Sequence, residues 1–258
     1  MGELHRKSFK FIGCEIVYRE ACHLAAASPH RVDLEFLRKG LHDLPSVDMA
    51  AKVQSAIDAA SAEGRYDAIL LGYARCNDGV AGVTARDVPL VIPKAHDCIT
   101  LFFGSRRRYM DYFEKHPGTY YVTTGWAERN SFAEGEYDQP AYGKQGVMSK
   151  LGLTQSHEQL VAKYGKENAD FIAQTVGDWK RNYSNMLYIE MGICDERPFV
   201  AEARRVADER NWSFEIAEGD LGLLEKLFAG RWDDDFVIVK PGEKIAPRND
   251  ENVLGASQ

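Results

Sequence analysis

The fold is decided by the stretch VPLVIPKAHDCITLFFGS, residues 88–105. Its apolar first part predicts a strand, Pro93 ends that strand, and a helix is expected to begin at about Cys98. His96, Asp97 and Cys98 therefore stand between a strand and a helix. In parallel α/β sheets ligands bind outside the carboxyl ends of the strands, where helix N-termini favour negative charge. The stretch predicts a functional site at such an edge.

Short apolar runs alternate with amphipathic segments on both sides of this stretch. Apolar runs such as FKFIG before Cys14 and YDAILLGY before Cys76 predict strands, and helical segments separate them. After Pro117 the alternation starts again. The sequence predicts an α/β protein of two Rossmann-like lobes, with mainly parallel sheets and an interlobe cleft. The expected divisions are an N-terminal lobe 1–116, a C-terminal lobe 117–246 and a frayed polar tail 247–258.

Three further segments carry expectations about local structure. A single helix is predicted from Cys98 to Phe113, with the basic run 106–108 at its C-terminal end, where the helix dipole favours cations. A long polar loop is expected at 130–146. A long helix is expected from Gln159 to Trp179.

Composition indicates an ordinary globular protein and narrows the classes of function. The 258 residues are 45% hydrophobic and 28% charged, with a net charge of −7. This charge does not favour tracking of nucleic-acid phosphates. No apolar run approaches the roughly 18 residues of a membrane span, and no signal peptide is recognisable. We expect a cytoplasmic protein that binds neither nucleic acid nor membranes; its oligomeric state stays open.

Cysteines supply the strongest indication of chemistry. Cys14, Cys76 and Cys98 each follow a predicted strand of the first lobe, and the usual strand order places those strands side by side. Three thiolates are expected to bind Zn²⁺ with one open coordination position, or a 4Fe-4S cluster with one exposed iron. The alternative is that all three are buried core residues, since the spacing fits no compact ligand motif. Cys22 is expected in the core, and Cys194 is expected to be a loop thiol or a fourth ligand.

Other polar residues near the same edge are candidates for catalysis and binding. His96 is a candidate metal ligand or, with Asp97 orienting it, a candidate acid–base residue; the alternative is that the pair caps a helix. Candidate substrate-binding residues are Arg75, Asn77, Trp126 and Glu190. An arginine holds carboxylates well, and a tryptophan can wall a pocket for a cation. A solvated loop arginine and a packing tryptophan are the alternatives.

Several segments resemble a prokaryotic family known as a conserved domain of unknown function. They are YDAILLGYARCNDG, VPLVIPKAHDCITLFFGS, TYYVTTGW and KYGKENADFIAQTVGDWKRNYSNMLYIEMG. Members of that family occur in anaerobes and methanogens, often beside corrinoid-dependent methyltransferases. The resemblance implies cysteines at positions 14, 76 and 98. It also implies a loop with a glycine before its asparagine, whereas this chain has Cys76-Asn77-Asp78-Gly79, so the loop backbone is expected to differ here. It implies a role in one-carbon chemistry.

Two functions therefore remain open at the level of sequence. The first is a metal-thiolate enzyme that acts on a small molecule, in corrinoid-linked methyl transfer. The second is a non-catalytic protein that binds a small ligand or docks on a corrinoid methyltransferase system. The chain has no Gly-x-Gly-x-x-Gly motif, Walker-type loop or corrinoid-binding signature, which argues against bound nucleotides or a corrinoid of its own.

Overall fold

The strands and helices follow the alternation seen in the sequence. The computed structural model describes residues 6–76, 78–129, 157–170 and 183–258. Its strands are β1 (Ser8–Cys14), β2 (Arg31–Leu37), β3 (Ala68–Gly72), β4 (Leu90–Pro93), β5 (Thr119–Val122), β6 (Asn185–Glu190), β7 (Ser213–Glu218), β8 (Phe236–Val239), β9 (Lys244–Pro247) and β10 (Leu254–Ser257). Its helices are α1 (Tyr18–Ala27), α2 (Ser46–Ala62), α3 (Cys98–Phe103), α4 (Arg106–Lys115), α5 (Thr124–Glu128), α6 (His157–Tyr164), α7 (Arg197–Glu209) and α8 (Gly222–Phe228).

The larger sheet has five strands in the order β2-β1-β3-β4-β8. β1 pairs in parallel with β2 and β3, and β3 pairs in parallel with β4. The strand neighbours expected from the sequence are therefore correct, and a mixed α/β protein with a mainly parallel central sheet is confirmed. The carboxyl ends of β2, β1, β3 and β4 consequently lie along one edge.

A second sheet has the order β5-β6-β7, and its strands are parallel. One hydrophobic cluster contains Phe11 and Leu70 of the larger sheet together with Leu187 and Ile189 of β6. The two sheets thus share a core, and two separate lobes with a cleft between them are not confirmed. The divisions at 1–116, 117–246 and 247–258 stay predictions.

The end of the chain returns to the larger sheet. β8 was expected in the second lobe, but it pairs antiparallel with β4. Beyond it, β10 pairs antiparallel with β9, and Val253 and Leu254 are buried. The polar residues after 247 are therefore held by main-chain pairing, in place of the frayed tail that their composition indicated.

The single helix predicted from Cys98 to Phe113 is divided in two. Gly104 ends α3 with φ 66°, and a Cβ there would lie 2.7 Å from the carbonyl oxygen of Asp220. The Ser105 hydroxyl then accepts a hydrogen bond from the Arg108 N–H and caps α4. The basic run 106–108 therefore begins a helix, and the prediction that it ends one was wrong.

Parts of two expected segments fall outside the described residues. Residues 157–164 and 166–170 are helical, in agreement with the start of the long helix predicted from Gln159. The rest of that helix and the loop expected at 130–146 lie outside the described residues. Among the described residues, no helix combines the length and apolar character needed to cross a membrane.

Helix α5 lies unusually close to the backbone that follows β1. A Cβ on Gly125 would stand 1.7 Å from the carbonyl oxygen of Ile16, a distance that no real Cβ contact reaches. Only glycine allows this approach. It matters for the site because the next residue, Trp126, lines the cavity described below.

We expect Gly125→Ala to destabilise the protein by about 2 kcal/mol or more, because backbone must move to admit the methyl group. The measurement is the free energy of unfolding in denaturant. Gly222→Ala is the matched control in the first turn of another helix, where a Cβ would come within 3 Å only of the Asp220 carboxylate, at 2.9 Å. Equal stability losses in the two variants would contradict this account of α5.

Candidate three-cysteine site

The structure brings Cys14, Cys76 and Cys98 together. Cys14 is the last residue of β1, Cys76 lies in the loop after β3, and Cys98 is the first residue of α3 after β4. All three line one cavity with a volume of about 20 Å³, which is room for about one water molecule, so a larger ligand requires its walls to move apart. Each cysteine is only partly exposed. The edge predicted from the sequence is therefore where the thiols converge.

The loop that carries Cys76 is held against the segment before α3. The Cys76 N–H donates to the His96 carbonyl oxygen at 3.2 Å. Cys76 has φ 44° and Asp78 has φ 60°, both in the left-handed region that non-glycine residues seldom adopt. Such backbone conformations cost on the order of 1–3 kcal/mol and occur preferentially at functional sites. The positive φ values at Cys76 and Asp78 therefore lower stability and are typical of a functional loop.

Burial keeps the three thiols protonated. It raises the pKa of Cys14 to about 11 and that of Cys76 to about 12, and it raises the pKa of Cys98 well above its usual range. Negative charge on Asp97 and on the neighbouring cysteines raises the pKa of Cys98 further. The cavity therefore presents neutral thiols at neutral pH, and a bound cation would be needed to hold three thiolates there.

The thiols do not form a finished site for a single ion. Within the described residues, no group of three or more His, Cys, Asp or Glu side chains is arranged to hold a metal ion. The cysteines share a cavity, and they lie near enough that negative charge on one raises the pKa of another. A tetrahedral zinc site would require the sulfurs to draw closer together around the ion.

A fourth strand end contributes Lys39, which the sequence analysis missed. Lys39 follows β2, lines the cavity and is 9% exposed. The Glu15 carboxylate fixes this loop by accepting a hydrogen bond from the Lys39 backbone N–H at 2.8 Å. Burial lowers the pKa of Lys39 to about 8, although nearby Glu15 and Cys14 oppose the shift. The signal was available, because the segment LRKGLHDLP also follows a predicted strand.

Trp126 lines the same cavity, as expected of a substrate-binding residue. The Lys39 Nζ atom lies 4.6 Å from the centre of the Trp126 ring, within range of a cation–π contact. The His42 ring stacks on Trp126, with ring centres 6.5 Å apart. The indole therefore contacts two basic side chains, and its substrate contact stays a prediction.

His96 and Asp97 are not among the residues that line the cavity. His96 is exposed, and burial of part of its ring lowers its pKa. Asp97 caps α3, because its carboxylate accepts hydrogen bonds from the Ile99 N–H at 3.1 Å and the Thr100 N–H at 3.3 Å. Its second oxygen accepts from the Tyr109 hydroxyl at 2.7 Å. These contacts match the helix-cap alternative, and a catalytic role stays a prediction.

The remaining candidate binding residues also lie away from the cavity lining. Arg75 donates to Asp78 and to the carbonyl oxygen of Arg248 at 2.9 Å, so it ties the β3 loop to the C-terminal segment. Glu190 is exposed at the end of β6. Asn77 lies outside the described residues. Substrate contacts for these three residues stay predictions.

The two other cysteines lie apart from the three. Cys22 is partly buried and lies in the second turn of α1. Cys194 follows β6, and burial raises its pKa. Neither cysteine is among the cavity-lining residues, which agrees with a loop thiol at 194.

A buried acidic cluster supports the helix that carries Trp126. The Glu196 carboxylate accepts hydrogen bonds from the Thr124 hydroxyl at 2.9 Å and the Tyr188 hydroxyl at 3.1 Å. Nearby, Glu20 is fully buried, and neither of its carboxylate oxygens has a partner in another described residue. Burial raises the pKa of Glu20 to about 7, and negative charge on Glu196 adds to the shift.

The fold and cavity together define an α/β protein with three thiols at the carboxyl edge of a parallel sheet. The chain belongs to the family described as protein of unknown function (DUF1638), whose sequence pattern matches residues 36–228. The match includes Lys39, Cys76, Cys98 and Trp126, whereas Cys14 precedes it. Comparisons with curated proteins and with solved structures give no match.

We expect Glu20→Gln to make stability less dependent on pH. A carboxyl whose pKa rises from 4.5 to about 7 on folding stabilises the fold fully below its unfolded pKa, and that contribution is lost as pH rises through 7. Wild type should therefore lose about 3 kcal/mol relative to the variant between pH 4.5 and 8. Chemical unfolding at several pH values measures this. Glu20→Leu, which is also uncharged, should flatten the curve in the same way, and parallel curves for all three proteins would refute the assignment.

We expect slow alkylation of the cavity thiols in metal-free protein. With a pKa of about 11 against an ordinary 9.0, the Cys14 thiolate fraction at pH 8 is about 100-fold lower than in the unfolded chain. Iodoacetamide labelling followed by peptide mass spectrometry gives the rate at each cysteine. In guanidinium all five cysteines should react alike. Native rates at Cys14 and Cys76 equal to the unfolded rates would contradict the raised pKa values.

Proposed function

We propose that Cys14, Cys76 and Cys98 hold a metal-thiolate centre, either Zn²⁺ or a 4Fe-4S cluster, which acts on a small molecule in the cavity. One observation carries the proposal: three separate strand ends deliver three thiols to one cavity. An ordinary core cysteine needs no such convergence. The strained backbone at Cys76 also supports the proposal, because such strain lowers stability and occurs preferentially at functional sites.

The donor set fits a soft cation. Thiolates are the preferred protein ligands of Zn²⁺ and of iron–sulfur clusters, and three of them leave one position for a substrate. The thiols would lose their protons on binding, because a bound cation reverses the pKa shifts that burial causes. A cluster separates its thiolate ligands more widely than one ion does.

The other cavity residues would shape the space in which a substrate lies. Ile16, Leu41 and Met49 give it apolar walls, and Trp126 closes it with an aromatic surface. Lys39 adds one positive charge to the lining of the cavity, where it can pair with a negatively charged part of a substrate. Apolar walls exclude water and strengthen that pairing.

When bound, such a centre would polarise or deprotonate a thiol or another small ligand at its open position. Methyl transfer to sulfur requires a nucleophile of that kind. The corrinoid-linked one-carbon role, with a corrinoid protein as partner, is supported only by the family resemblance described above. The proposed metal-thiolate centre does not depend on this one-carbon role.

A second candidate is a non-catalytic protein that binds a small ligand or docks on a corrinoid methyltransferase system. The observation in its favour is that the cavity is complete while its thiols are neutral and not arranged around one ion. Under this hypothesis the three cysteines are dispensable for ligand binding.

Anaerobic reconstitution separates the two candidates. Wild-type protein is titrated with Co²⁺, as an optical probe for zinc sites, and separately with iron and sulfide. We expect thiolate-to-metal charge-transfer absorption, and we expect each of Cys14→Ser, Cys76→Ser and Cys98→Ser to lower metal affinity at least tenfold. Cys22→Ser is the matched control and should bind as wild type does.

Two results would overturn the metal-thiolate proposal. One is a protein that stays colourless and metal-free in both titrations. The other is binding that survives all three serine substitutions, which would place the metal elsewhere. The position and intensity of the absorption bands decide between a single ion and a cluster.

A further inference from the structure

Lys39 is a buried cation without an anion in contact. The residue is 9% exposed, and within the described part of the chain its ammonium group has no hydrogen bond and no ion pair. The Lys39 Nζ atom lies over the face of Trp126, at 4.6 Å from the ring centre. An ammonium group removed from water is costly unless a negative partner compensates it.

The protein does not relieve this cost from within. Glu15, the nearest acidic residue, uses Oε1 to accept from the Lys39 backbone N–H. Glu15, Cys14 and Asp43 act on Lys39 only as charges at a distance. The loop therefore fixes the lysine backbone and leaves its charged end to the cavity, among apolar side chains and thiols.

We propose that the cavity selects small organic anions, whose carboxylate pairs with the Lys39 ammonium while the rest of the molecule lies between Trp126 and the three thiols. This inference rests on the proposed function and names its substrate class. An apolar cavity with one cation discriminates strongly between a carboxylate and a neutral group of equal size, because the neutral group leaves the ammonium unpaired. The Trp126 ring holds the lysine side chain in place for this contact.

Two thiol probes of similar size test this selectivity. Mercaptoacetate carries a carboxylate, and mercaptoethanol carries a hydroxyl in its place. Each is titrated at pH 7, anaerobically, into the Co²⁺-loaded or cluster-loaded protein, and changes in charge-transfer absorption give the affinity. We expect wild type to bind mercaptoacetate at least tenfold more tightly than mercaptoethanol.

Two substitutions separate charge from shape. Lys39→Arg keeps the positive charge and should keep the preference for mercaptoacetate. Lys39→Met should lose the preference because its affinity for mercaptoacetate falls at least tenfold, and an unchanged near-UV circular dichroism spectrum shows that the fold is intact. Should Lys39→Met not fold, Lys39→Gln takes its place, with the same expectation.

The outcomes distinguish this inference from the metal proposal. If metal binds and wild type prefers neither probe, or if Lys39→Met keeps the preference, anion selection by Lys39 is refuted and the metal centre stands. If no metal binds, the metal proposal is refuted. Anion selection is then tested by calorimetry on the metal-free protein. Wild type should still bind mercaptoacetate more tightly than mercaptoethanol, and Lys39→Met should not.

Discussion

The register of β1 against β3 is the constraint on which the site depends. Gly13 lies opposite Gly72 in this pairing, and the Phe11 ring fills the space beside both. A Cβ on either glycine would stand within 2.5 Å of that ring. A shift of one residue would turn every side chain of β1 to the opposite face of the sheet. The same register sets where β1 ends, and therefore where Cys14 lies relative to the loop that carries Cys76.

The far wall of the cavity depends on the second sheet. Glu196, which precedes α7, anchors Thr124 at the start of α5, and Gly125 lets that helix approach Ile16. These two contacts fix the position of α5, the helix that carries Trp126. The cavity is thus assembled from the edge of the larger sheet and a helix that follows β5. Its integrity depends on the core that both sheets share.

Much of this arrangement could be predicted from the sequence, because strand periodicity and strand order determine what meets at a sheet edge. Cys14, Cys76 and Cys98 were grouped in this way, and Trp126, a candidate substrate-binding residue, lines the same cavity. Lys39 was missed although its segment follows a predicted strand, because a lysine in a polar loop is usually solvated and the burial of this one results from tertiary packing. The break at Gly104 had a local signal that the prediction of one continuous helix overlooked, since a glycine ends α3 and a serine caps α4.

The destination of the last strands was also beyond sequence reasoning. The apolar run of β8 predicts a strand but not the sheet that it joins, and the short polar sequence after Pro247 does not indicate that Leu254 is buried in a hairpin. Both facts depend on pairing between residues far apart in the chain. Local patterns carry no information about such partners.

The antiparallel pairing of β8 with β4 has a consequence for synthesis of the protein. All four residues of β4 are buried, and the strand that covers its outer edge lies about 140 residues further along the chain. A ribosome adds on the order of 5–20 residues per second, so this edge stays uncovered for several seconds after β4 emerges. During that interval β4 is an apolar strand with free main-chain groups, the kind of edge that pairs with other chains. The nascent protein therefore depends on protection from aggregation until its final strands leave the ribosome.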